Sequence, residues 1–238
     1  MESNRWWEFY FIRYFVGSVL GSLIITALAF HPDSSLSDVI AKLFDFDDTN
    51  LLTLKSDHFW VILSFGIAFC YIASSPILVM HALRAHFDFQ SDTNITCKVW
   101  LFRLIIIALP LGFVWIVFKE SPVKATFFSA YGLVVAFQFF LLTPALNEKF
   151  NSIFSFYKAL AKDRAKTSED RRQFIESYKH LREHGNAFLI LFCELVLGCA
   201  LFVSNSLSEA LIVIIIWIFP TIPIWFLGTF LESRVKNV

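Results

Sequence analysis

The sequence predicts an all-α fold: a polytopic membrane helix bundle of about six transmembrane helices, with a cytoplasmic helical hairpin between spans four and five. Three observations predict it. The 238 residues are 57% hydrophobic and 17% charged, where a soluble domain carries about 25% charged residues. Mean hydropathy is +0.62, so the chain holds more apolar surface than a soluble core of this size would bury, and lipid must cover the remainder. Apolar runs near the ~20 residues needed to cross a ~30 Å hydrocarbon core recur along the chain. Finally, Lys and Arg alternate with those runs in the unequal way that membrane insertion imposes.

The expected spans are Phe9–Phe30, Phe59–Met80, Val99–Phe118, Ala125–Leu146, Ala187–Val203 and Ala210–Leu231. The fifth is the shortest and contains Glu194. With the N-terminus inside, the first link is external and acidic, holding Asp33, Asp38, Asp45, Asp47, Asp48 and Asp57 against Lys42 and Lys55. The link between spans four and five is internal and carries nine basic residues from Lys149 to Arg182. Sixteen of the twenty Lys and Arg fall inside and four outside. The opposite orientation inverts that ratio and is rejected. Both termini are therefore expected in the cytoplasm. The first apolar run is too long for a signal-peptide core and lacks a small-x-small exit, so it reads as a retained span. Trp6, Trp7, Trp60, Trp100 and Trp225 fall near the expected headgroup levels, as interfacial anchors do.

The chain thus divides into residues 1–146, four spans with an acidic outer loop at 31–58; residues 147–185, the hairpin; and residues 186–238, two spans and a short tail. Within the outer loop Leu36, Val39, Ile40 and Leu43 follow i, i+3, i+4, i+7. That spacing predicts a short amphipathic helix, lying on the outer leaflet or packed against the bundle. In the hairpin, Phe150, Phe154 and Tyr157 share one spacing with Phe174, Tyr178 and Leu181. Thr167-x-x-Asp170 between them has capping-box form. The arms would pack through their aromatic stripes and present Lys162, Arg164, Lys166, Arg171 and Arg172 near the tip, where a cytosolic protein partner could dock.

Ionisable groups inside spans are functional candidates because burying them costs several kcal/mol. Arg13, Arg103 and Glu194 are three such groups. All enter their spans from the cytoplasmic side and lie at similar depth, roughly 6–11 Å below the boundary at about 1.5 Å per residue. Glu194 could pair with either arginine, within a subunit or across subunits, as a switch or along an ion path. The alternative is a static hydrogen-bonded pair, or Arg13 reaching back to headgroups. Gly17-x-x-x-Gly21 with Ser18-x-x-x-Ser22 puts small residues on one face of span one, which allows close helix approach to another span or another subunit. Pro76, Pro110, Pro144, Pro220 and Pro223 lie in or at the ends of spans, where each removes a backbone donor and can kink its helix; Pro220 and Pro223 together are expected to bend the sixth span sharply.

Other chemistry is weakly represented. His180-Leu-Arg-Glu-His184 has the HxxEH form that places two imidazoles on one helix face, but without a third ligand nearby it reads as a solvated face, not a metal centre. No CxxC pair, Walker loop, GxGxxG or Ser/His/Asp arrangement is present. Cys70, Cys97, Cys193 and Cys199 read as free thiols, three of them in apolar runs. The expectation is a non-enzymatic protein with no cofactor, no metal and no direct nucleic-acid contact.

The opening Trp7-Glu8-Phe9-Tyr10-x-x-Arg13-Tyr14-x-x-Gly17-x-x-x-Gly21 resembles the start of small multi-pass membrane subunits of prokaryotic anti-phage defence systems, the Kiwa-type membrane component among them. The resemblance covers about 15 residues and carries over no site residue, and six spans depart from the four-span layout of several such proteins. It implies a prokaryotic inner-membrane location and a membrane subunit, possessing sensor or effector character, that works with a cytosolic partner. The competing expectation, motivated by Glu194, Arg13, Gln138 and the prolines, is an ion channel or small-solute transporter acting as an oligomer.

Overall fold

The structure is a computed structural model. It describes residues 6–43, 56–82, parts of 101–113, 114–147 and 187–226, with side chains described from residue 14 to 42, 58 to 80, over parts of 101–117, 118 to 142 and 187 to 226. The hairpin and its basic residues Lys162, Arg164, Lys166, Arg171 and Arg172 lie outside the described residues, as do Arg103 and the side chain of Arg13. Among the described residues there is no strand.

The helices are α1 (Trp6–Phe30), α2 (Ser37–Leu43), α3 (Ser56–Ala73), α4 (Ser75–Ala82), α5 (Pro122–Asn147), α6 (Ala187–Phe202) and α7 (Leu207–Ile218), followed by a short helix α8 at 221–226. Three stretches are long and apolar enough to cross a membrane: His58–Met80, Pro122–Leu142 and Leu207–Phe226. Tyr14–Phe30 and α6 are shorter apolar helices. Large apolar side chains remain exposed, Phe188 at 75% and Ile116 at 73% among them, as lipid-facing positions require. The described residues between 101 and 117 are also helical.

The ends of these helices follow from local chemistry. Pro32 follows the last turn of α1, where no helix can continue with an intact hydrogen-bond ladder. The buried Ser34 hydroxyl donates to the Leu28 carbonyl at 2.8 Å, capping that exposed acceptor. Pro122 begins α5 at the position where its missing N–H costs nothing. At the start of α7, Ser206 accepts from the Glu209 N–H at 3.2 Å while Glu209 accepts from the Asn205 backbone at 2.8 Å. This is a variant of the capping box, with the Glu reaching one residue further back. Along α1, Ser18, Ser22 and Thr26 each donate to the carbonyl one turn earlier, at 2.5, 2.8 and 2.8 Å. Their hydroxyls are thereby satisfied without water.

The chain separates into two compact units, Met1–Ser75 with Ser177–Trp217, and Pro76–Glu176 with Ile218–Val238. In the first unit α3 runs antiparallel to α1. Tyr14 stacks on Tyr71 with ring centroids 5.0 Å apart, Gly21 meets Gly66, and the Ser22 hydroxyl reaches the Ile62 carbonyl at 3.5 Å. Helix α6 runs parallel to α1: Ile190 approaches Gly17, Gly198 approaches Ile24, and His31 meets Phe202 edge-on at 5.1 Å. The α1–α2 link closes that end, with the Ser35 hydroxyl donating to the Ser204 carbonyl. Helix α2 packs on α1; Leu36 just before it and Ala41 within it are buried, Val39 and Ile40 are half-buried, and Asp38 and Lys42 are exposed.

Two prolines interrupt spans as expected. Helix α3 ends at Ala73, and Pro76 sits in the first turn of α4. A proline ring cannot donate and disrupts the carbonyls one turn back. The nearby Ala73 carbonyl accepts instead from Trp217 Nε1 at 3.3 Å, which gives the fully buried indole of Trp217 its hydrogen bond. Pro220 marks the break between α7 and α8. In the second unit, Phe118 stacks on Phe128 at 4.9 Å and Phe128 meets Tyr131 edge-on at 6.5 Å. Gln138 is fully buried there.

Candidate functional site

The site is built by three helices of the first unit. Helix α1 contributes Gly17, which lacks a side chain and so lets its neighbours close in. A Cβ built at Gly17 would stand 2.5 Å from Cys70 Sγ of α3, 3.3 Å from Ile190 Cγ2 and 3.4 Å from Glu194 Oε1 of α6. Gly17, Cys70, Ile190 and Glu194 therefore converge on one point. One turn on, Gly21 packs on the backbone of Gly66; a Cβ there would meet the Gly66 Cα at 3.2 Å and its carbonyl oxygen closer still. A Cβ on Gly66 would enter the Ser22 hydroxyl and lie 2.8 Å from the Ser18 carbonyl oxygen. The small-residue face of α1, Gly17, Ser18, Gly21 and Ser22, is thus occupied by α3 of the same chain.

Glu194 is 0% exposed. Neither of its carboxyl oxygens meets a hydrogen-bond donor among the described residues. The Cys70 thiol faces it from α3, and a thiol is only a weak hydrogen-bonding group. Cys193, beside Glu194 on α6, is also buried. A buried carboxyl without donors costs free energy that ordinary packing does not return. Native structures hold few such groups, so this one calls for a physical explanation.

Of the residues that sequence reasoning placed here, the structure brings Glu194 to the Gly17 face of α1. Arg13 stands on that face in register, one turn before Gly17 in the same helix. Arg103 lies outside the described residues. Gln138 belongs to the second unit. Two contributors were missed, Gly66 and Cys70. Their spacing, Gly66-x-x-x-Cys70, is itself a small-x-x-x-small pattern in span two, and Gly66 is the sole glycine in the expected run Phe59–Met80. No group of three or more metal-ligating side chains occurs among the described residues.

Comparison with known proteins finds no matching family model, no matching curated protein and no matching solved structure.

Proposed function

We propose that the chain is a non-enzymatic, multi-pass membrane subunit with Glu194 as its two-state element, and that residues 147–185 pass its state to a cytosolic protein partner. The observation that carries this reading is the fully buried Glu194 carboxyl without a donor at the meeting of α1, α3 and α6. Buried ionisable groups in spans are seldom retained for stability, since removing them is often neutral or favourable. In the second state Arg13, one turn away in register, is the counter-ion. Chain connectivity supports the coupling, because residues 148–186 link α5 directly to α6, the helix that carries Glu194.

Helix directions support the six-span count. Helices α1 and α6 are parallel and α3 is antiparallel to both, so the chain must make an even number of crossings between α3 and α6. Pro122–Leu142 supplies one. The second then lies elsewhere between α4 and α6, and the apolar run Val99–Phe118, helical where described, is the segment that fits it. The 25 residues of α1 give about 37 Å at ~1.5 Å per residue, enough to cross. Together with the positive-inside distribution, this count supports a topology with both termini and segment 147–185 in the cytoplasm. The likeness of residues 7–21 to membrane subunits of phage-defence systems makes the inner membrane of a prokaryote the proposed location, and a soluble component of such a system the proposed partner.

The test is to reverse the five basic residues Lys162, Arg164, Lys166, Arg171 and Arg172 to Glu. Partner retention on gentle-detergent purification is expected to be lost, while membrane insertion and the thermal midpoint of the bundle stay as in wild type. Retention equal to wild type would remove this segment as the docking element.

A further inference from the structure

We propose that Glu194 is a proton-binding site within the membrane, and that loading and release of this proton set the state of the switch. The inference rests on the reading of Glu194 as the two-state element, and adds what drives it.

The argument starts from what each form of the side chain needs. An ionised carboxylate offers about four acceptor positions and no donor, so it must be met by N–H or O–H groups or by a cation. The described pocket supplies none to either oxygen. The neutral acid carries its own O–H and needs only an acceptor. The Cys70 sulfur and Glu194 Oε1 approach the same point on Gly17, and a thiol sulfur is a weak acceptor as well as a weak donor. The groups around the carboxyl agree with an uncharged occupant. Helix α1 presents Gly17, α3 presents Cys70, and α6 itself presents Ile190 and Cys193. The titratable neighbours described are therefore two thiols, with Tyr14 and Tyr71 stacked on each other toward the N-terminal end of α1. Arg13 lies one turn before Gly17 in the sequence of α1.

Proton release leaves a carboxylate that this pocket does not solvate. The proton departs to water and no other bond changes; Arg13, one turn before Gly17 in α1, is the counter-ion proposed for the charge left behind. The close packing of Gly17 against Cys70 makes the exchange consequential. Space at the junction is already filled to contact, so a carboxylate seeking a cation one turn away must shift α6 relative to α1 or turn its side chain within a tight gap.

The experiment is infrared difference spectroscopy of the full chain in lipid vesicles at neutral pH. A protonated carboxyl gives a C=O stretch separated from the carboxylate bands, and the band moves on exchange into D2O. Wild type is expected to show this band and Glu194→Gln to lose it, while Cys70→Ala shifts its frequency by removing the acceptor. If Glu194→Gln fails to insert, Glu194→Asp and 13C-glutamate labelling assign the band in a protein that retains the carboxyl. A wild-type spectrum with no glutamic-acid C=O band, and a carboxylate band assigned to Glu194, overturns the proposal. That outcome, combined with altered partner retention in Glu194→Gln, would leave the switch in place with an ion pair and no proton. Unaltered retention with the acid band present would keep the proton site and remove the switch.

Discussion

Gly66→Leu is expected to force α3 away from α1 and to destabilise the membrane fold by about 3 kcal/mol, the upper part of the range for overpacked interiors. Even a Cβ at this position would enter the Ser22 hydroxyl and stand 2.6 Å from the Ser22 backbone nitrogen. Backbone cannot swing aside as a flexible side chain does, so the helices must separate. Separation breaks the contact that brings Cys70 and Gly17 to Glu194, and the damage therefore spreads to the site. Gly112→Ala and Gly132→Ala serve as controls, since a Cβ at either meets nothing within 4 Å. Alanine exceeds glycine in helix propensity by about 1 kcal/mol, so these two changes are expected to be neutral or mildly stabilising. Thermal unfolding in detergent, followed by tryptophan fluorescence, checks all three. A Gly66→Leu midpoint equal to that of the controls would show that α1 and α3 do not approach as described.

Glu194→Leu is expected to act in the opposite sense on stability and to abolish function. Leucine is close to glutamate in volume, and the carboxyl it replaces is fully buried without a donor. Replacing buried ionic groups by apolar ones of similar size is neutral or stabilising by about 1–4 kcal/mol in other proteins. A bundle that melts higher than wild type while failing to regulate its partner would display the trade between stability and activity that working sites show. Glu194→Gln should fall between the two, because its amide keeps the shape but still needs partners. Loss of stability in Glu194→Leu would instead mean that the carboxyl anchors the fold through an ion pair, the static reading of the same residue.

Much of the helical framework was legible in the sequence because apolar run length is a strong signal. The runs at Phe59–Met80, Ala125–Leu146 and Ala210–Leu231 correspond to described spans at His58–Met80, Pro122–Leu142 and Leu207–Phe226. The first and fifth runs correspond to shorter apolar helices at Tyr14–Phe30 and Ala187–Phe202. The proline breaks at Pro76 and Pro220 were also readable, since a missing donor acts locally whatever surrounds it. The site was legible only in part. Glu194 stands out as a charge in an apolar run, but its neighbours are set by which helices touch, and periodicity does not encode that. Gly17 and Gly21 advertised a close contact without naming its partner; Gly66 and Cys70, from a span read only as apolar, turn out to supply it. The amphipathic pattern at residues 36–43 was equally compatible with lipid and with protein. Leu36 of that stripe is buried and Val39 and Ile40 are half-buried, while the Ser35–Ser204 bond ties the segment to one 169 residues away.

The most direct test of the central claim is to purify tagged wild-type and Glu194→Gln proteins side by side from native membranes in gentle detergent, recording native mass and bound soluble protein. The account predicts a stoichiometric soluble partner on wild type and a changed amount of that partner on Glu194→Gln, with the membrane component itself equally folded in both. A homo-oligomer with no soluble partner in either preparation would contradict it, and would place Glu194 in the ion path of a channel or transporter.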